Sequence, residues 1–148
     1  MTVSKLKKEK ITPLKTKLDN IFSLYIRLRE ATDEGFVQCF TCGKVRYFQD
    51  YMQCGHFQSR RHIATRFDEQ NCQVQCANCN GNYNNGEQFK FSLALDSKYG
   101  KGTAEDLLYK AIKTLKIMPH EYKEKISYYK SLVENLLKEK GLSLKKKL

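Results

Sequence analysis

Apolar residues recur at helical spacing early in the chain. Leu14, Leu18, Ile21, Phe22, Tyr25 and Leu28 fall on one face, behind a Thr12 able to cap and a Pro13 suited to a first turn. The pattern predicts a helix over 13–31, closed by Gly35. The period then shortens: Phe36, Val37, Phe40, Val45, Tyr47 and Phe48 are β-prone, and 52–57 reads as a further strand with His56 near its end. Residues 58–70 read as a polar loop with three arginines, 72–76 as a short extended piece, and a helical turn is expected near Cys76, carrying Cys79 and Asn80. The run 81–86, rich in glycine and asparagine, breaks that turn. Helical periodicity returns over 87–99, stopped by Gly100. It resumes over 104–117 behind a capping Thr103, with Leu107, Leu108, Ala111, Ile112 and Leu115 inward. A last helix runs from Pro119 to about Lys140, before Gly141. On it Tyr122, Ile126, Tyr129, Val133 and Leu136 alternate in fours and threes, a seam that fits either packing within the chain or a dimer contact.

Composition narrows the class. An apolar content of 41% with 29% charged residues, over 148 residues, describes one globular domain with helical additions. The net charge of +11 points to a polyanionic partner, nucleic acid or an anionic membrane surface. No stretch approaches the ~18–20 consecutive apolar residues of a membrane span, and the N-terminus lacks the apolar core of a signal peptide, so an intracellular protein with no membrane partner is expected. Six cysteines in such a chain favour metal over a disulfide framework.

Four of the six form two knuckles, Cys39-x2-Cys42 and Cys76-x2-Cys79, a spacing that lets paired thiolates grip a tetrahedral zinc ion. The 33 residues between Cys42 and Cys76 exceed the ~15–20 of a simple zinc ribbon, so a structured insert is expected. Cys54 and Cys72 read as buried free thiols. Within the insert lies Gly55-His56, and directly after the last knuckle comes Asn80. Histidine is largely neutral at cellular pH and can take a proton from water. An amide oxygen suits Mg²⁺, which prefers hard oxygen ligands. Alone, a histidine is usually structural and an asparagine after a cysteine usually turns the backbone; the flanking knuckles give the pair its weight. Arg60, Arg61 and Arg66 lie beyond His56, suited to a phosphate, to transition-state charge or to generic backbone contact. His62 reads as a surface residue, while Tyr47, Phe48, Tyr51 and Tyr83 could stack on unpaired bases but suit core packing better.

The ordered blocks FSLYIRLREA, CFTCGK, QCGHFQSRRHIATRFDEQNCQVQC and ANCNGNYNNG resemble the NinG/Rap family of phage recombination endonucleases, within the HNH superfamily; the likeness spans about 14–99. It implies an α+β fold: a small zinc-stapled treble-clef ββα-metal (HNH-like) domain flanked by N- and C-terminal helices. The corresponding division is a basic flexible lead over 1–12, the nuclease domain over 13–100 and a helical extension over 101–148. The implied activity is metal-dependent, structure-selective cleavage of branched DNA, Holliday junctions and D-loops, leaving a 3′-hydroxyl and a 5′-phosphate. The resemblance makes Cys39, Cys42, Cys76 and Cys79 the ligands of structural Zn²⁺, His56 the general base, Asn80 a ligand of catalytic Mg²⁺ or Mn²⁺, and Asn71 a brace for the loop or for His56. Arg60 and Arg66 join the candidate catalytic set, and two-strand cutting implies a homodimer. Many superfamily members carry Asp-His where this chain has Gly55-His56, which leaves the second metal ligand open; Asn84, Asp68 and Glu69 are alternatives, the last two better suited to pairing with the loop arginines. The rival functions are a non-catalytic zinc-dependent nucleic-acid-binding protein and an HNH nuclease that cuts ordinary duplex.

Overall fold

The structure, a computed structural model, describes residues 9–147. Most of the expected basic lead, residues 1–8, lies outside them. Helix α1 (Ile11–Arg29) begins two residues earlier than the pattern suggests, so Thr12 and Pro13 sit inside its first turn and Lys10 takes the cap position without a side-chain bond. Proline is tolerated there because the first N–H groups of a helix have no intrahelical acceptor.

Two small antiparallel sheets follow. Strands β1 (Phe36–Gln38) and β2 (Val45–Tyr47) pair around the first knuckle, and β3 (Met52–His56) pairs with β4 (Cys72–Cys76). The register sets Met52 opposite Cys76, Cys54 opposite Val74 and His56 opposite Cys72. The expected polar loop between β3 and β4 contains a one-turn helix, α2 (Ile63–Arg66). Every residue of β4 is buried. Cys72, Val74 and Cys76 enter the main core, while Gln73 and Gln75 fill the other face. An alternating polar and apolar strand of this kind normally leaves one face wet; here both are covered.

Helix α3 (Gln88–Tyr99) covers part of that second face through Phe91 and Leu95, which pack with Phe40, Phe57, Ala104 and Leu107. Helix α4 (Thr103–Ala111) is shorter than its periodicity predicts. Leu107 and Ala111 are buried as expected, but Leu108, Ile112 and Leu115 are at least half exposed. The helix stops because Ile117 is drawn into the main core just before α5 begins. Thr103 does not cap α4 either: Gly102 holds that position, and the Thr103 hydroxyl donates to the Gly100 carbonyl.

Helix α5 (Pro119–Lys140) has the predicted bounds and ends at Gly141 with φ of 66°, a left-handed cap that glycine adopts without strain. Its seam is used within the chain. Tyr122, Ile126, Tyr129 and Val133 are buried against α1, with Phe22 meeting Tyr129 edge-on at 4.9 Å. Lys140 Nζ donates to the Leu28 carbonyl at 2.7 Å and to that of Ala31, so α5 supplies the cation at the C-terminus of α1. Arg27 and Arg29 of α1 are likewise structural, donating to the carbonyls of Phe48, Glu69 and Cys72. Among the described residues no helix is long and apolar enough to cross a membrane.

Candidate functional site

The two knuckles close on each other. Cys39 ends the β1 side of a tight turn in which Gly43, at φ of 77°, lets its N–H reach the Cys39 carbonyl. Cys76 ends β4, and Cys79 follows on a π-helical turn (Asn78–Asn82). All four sulfurs lie within 4.8 Å of one another. Cys42 and Cys76 are 3.8 Å apart, the edge expected of a tetrahedron with Zn–S bonds of about 2.3 Å. Burial raises the Cys39 thiol, but the N–H groups of Cys76 and Cys42 outweigh it and bring the thiol down to about 6, while burial pushes Cys79 up to about 12. Four sulfurs this close could hold a cation among them, and the donor set fits a structural metal such as zinc.

The π turn also carries Asn80, whose Nδ2 donates to Gln53 Oε1 at 2.8 Å. Asn80 Oδ1 receives no donor among the described residues. Gln53 and Gly55 share one face of β3, opposite Gln75 and Gln73. That face explains Gly55. A Cβ there would lie 2.1 Å from Gln75 Oε1, so the Gln75 carboxamide takes the space a side chain at position 55 would need. Gln75 is wholly buried and held by bonds from Nε2 to Thr41 Oγ1 and the Gly86 carbonyl. Its Oε1 has no partner among the described residues. Nothing in the sequence pattern marks this residue, because its role depends on the strand register.

His56 is on the other face, towards α1. Its Nε2 lies 3.0 Å from the Arg66 carbonyl, which can only accept, so Nε2 carries the proton and Nδ1 is left as the acceptor. Burial lowers the His56 pKa below its ordinary value; the Arg66 carbonyl acts against this, and the Arg60 charge adds to it. The ring is therefore neutral at pH 7. Asn71, fully buried, braces the segment that follows: its Oδ1 accepts from Gln58 N at 2.7 Å, and its Nδ2 donates to the carbonyls of Gln58 and Thr65.

His56 and Asn80 border one cavity of about 760 Å³ that runs along the free edge of β3. Arg60 and Arg61 are exposed at its rim, with His62 beside them. Arg66 is elsewhere engaged, gripping Asp19 of α1 with two bonds, at 2.9 and 2.5 Å. Asp19 escaped the sequence reading; among the described residues it is the only carboxylate lining the cavity, and Arg66 neutralises it. None of the residues suggested in place of an aspartate at 55 lines this cavity. Asp68 pairs with Lys110 rather than a loop arginine and accepts from the N–H groups of Gln70 and Asn71, Glu69 lies beside Tyr25, and Asn84 borders the cysteine centre. Of the candidate stacking aromatics, Phe48 is core, Tyr51 is 44% exposed and Tyr83 is 83% exposed.

A mixed helix-and-sheet frame with four clustered cysteines that could hold zinc, and with a histidine and an asparagine opening on one cleft, defines a small α+β protein with a candidate metal centre. The chain belongs to the NinG family: residues 2–139 match the family described as Bacteriophage Lambda NinG protein, which suggests a role in phage recombination. No curated protein and no solved structure matches it.

Proposed function

We propose that this protein is an HNH-type, ββα-metal endonuclease that hydrolyses phosphodiesters in branched recombination intermediates, with its knuckles and β3–β4 hairpin forming the treble-clef core. The observation that carries this is the state of His56: neutral, with Nε2–H fixed on the Arg66 carbonyl and Nδ1 free, in a cavity that Asn80 also borders.

His56 Nδ1 takes a proton from water, the hydroxide attacks phosphorus, and the bond to the 3′-oxygen breaks, giving a 3′-hydroxyl and a 5′-phosphate. Asn80 Oδ1 would hold Mg²⁺ or Mn²⁺ at the cavity, whereas the orphaned Gln75 Oε1 is wholly buried and does not line it. When bound, the ion supplies Lewis-acid stabilisation of charge on the phosphate and the leaving oxygen. A single uncharged donor fits an ion that keeps most of its shell as water and substrate oxygens. Arg60 and Arg61 hold the DNA backbone at the rim, and Arg66 acts through Asp19 and its carbonyl rather than on phosphate. Paired cuts require two sites, hence a homodimer, formed by a surface other than the α5 seam.

The missing carboxylate at Gly55 favours one rival, a zinc-dependent DNA binder without catalysis. Mg²⁺-dependent cutting of a four-way junction, lost in His56→Ala while junction binding persists, supports the enzyme; binding without cutting by wild type supports the rival. Competition with linear duplex of the same sequence tests the preference for branches.

A further inference from the structure

A second thiol cluster lies beside His56, apart from the four-cysteine centre. Cys54 and His56 share one face of β3, and Cys72 stands opposite His56 across the hairpin. The two sulfurs and a ring nitrogen of His56 lie within 4.8 Å of one another. The Arg66 carbonyl faces two of the three, His56 Nε2 at 3.0 Å and Cys72 Sγ at 3.4 Å. Cys72 is wholly buried, but Cys54 and His56 both line the cavity, which gives an ion a way in from solvent.

We propose that Cys54, Cys72 and His56 form a second metal site, selective for a thiophilic divalent cation such as Zn²⁺, whose occupation silences His56. Two sulfurs and one imidazole are a soft donor set that a hard ion such as Mg²⁺ does not use. Three protein ligands with a fourth position open to the cavity is a common zinc arrangement. On binding, each thiol releases its proton to solvent, so the ion and its two thiolates are together neutral and tolerable in a part-buried position. Releasing the proton of a wholly buried Cys72 is costly, which makes this site weaker than the four-cysteine centre and active only when zinc exceeds one equivalent.

The consequence for His56 does not depend on which nitrogen binds. A metal on Nδ1 blocks the base directly; a metal on Nε2 displaces its proton, and the neutral ring then carries its single proton on Nδ1. Either way the ring cannot deprotonate water. The silencing rests on the proposed role of His56, whereas the metal site does not.

The test is to count zinc in untagged protein after dialysis against increasing buffered free zinc, for wild type, Cys54→Ser and, as a second variant, Cys72→Ala, each checked for folding by circular dichroism. Wild type should take up a second equivalent. Cys54→Ser should retain the first and bind the second more weakly by at least the roughly 10-fold that loss of a mere outer-shell partner costs. No second equivalent in wild type, or one unchanged in both folded variants, overturns the site. Over the zinc range that fills the second site of wild type, junction cleavage on the same samples should fall in wild type but not in Cys54→Ser. If zinc binds and cleavage persists, the silencing is overturned. If wild type never cuts, the nuclease assignment fails while the zinc count still decides the site.

Discussion

His56 is tuned by burial. Its folded pKa lies below that of an exposed histidine, about 6.5, so the proton acceptor is fully present at neutral pH. The cleavage rate should therefore be flat around pH 7, with an acid limb below 6.5. A rate still rising steeply between pH 7 and 8 would contradict a buried neutral base. The same shift acts on stability with a definite sign. Above pH 6.5 neither state binds the proton; below it the unfolded chain does so first, so stability is lost as pH falls towards the folded pKa, and His56→Gln should lessen that loss. Gly55 is the other residue under geometric constraint. Gly55→Ala forces the buried Gln75 carboxamide aside and should cost about 1–3 kcal/mol in denaturant unfolding. Combining it with Gln75→Ala should cost less than the sum of the two. If the costs simply add, the two side chains do not compete for that space. At this scale the knuckle cysteines were legible from their spacing, and folding gathers their sulfurs within 4.8 Å, whereas the roles assigned to His56, Asn71 and Asn80 rest on the family resemblance rather than on spacing. Asp19 and Gln75 were not legible: one acquires its role from Arg66, forty-seven positions away, the other from a strand register.

The β3–β4 hairpin and the π turn are short, and a two-stranded sheet alone is marginal in water. The four-cysteine cluster joins the end of β4 and the π turn to the β1–β2 side, so a metal held there would stabilise the frame that carries Asn80. Structural zinc contributes on the order of 10–16 kcal/mol in small zinc domains, comparable with the whole stability of a domain. Chelation, or Cys76→Ser, should thus unfold the hairpin and abolish cleavage although His56 and Asn80 are chemically intact. Amide exchange of β4 is the direct reading; protection surviving in metal-free protein would show that packing alone suffices. The elements themselves were largely visible as periodicity, α5 to its end residues. Periodicity over-extended α4, because the demand that Ile117 reach the α1–α5 core is a tertiary one. It also could not decide the α5 seam, since an intramolecular partner and a second copy bury the same stripe.

The whole molecule combines a net charge of +11 with a cleft whose rim carries Arg60 and Arg61 while Arg66 is spent on Asp19. Binding to DNA should weaken linearly with log salt, and Arg60→Ala should reduce that slope by about one contact with little change in branch preference. An unaltered slope would place Arg60 off the DNA. The basic balance was plain in the composition, but which arginines remain free was not, because Arg27, Arg29 and Arg66 are consumed by carbonyls and a carboxylate that only folding brings near. The most direct measurement is cleavage of a four-way junction by zinc-loaded protein with Mg²⁺, wild type beside His56→Ala, with binding followed on the same DNA. Wild type should cut, and His56→Ala should bind equally but cut roughly 10²–10⁴-fold more slowly. Equal cutting by both proteins, or none by wild type, would contradict the assignment of His56 as the base of a nuclease.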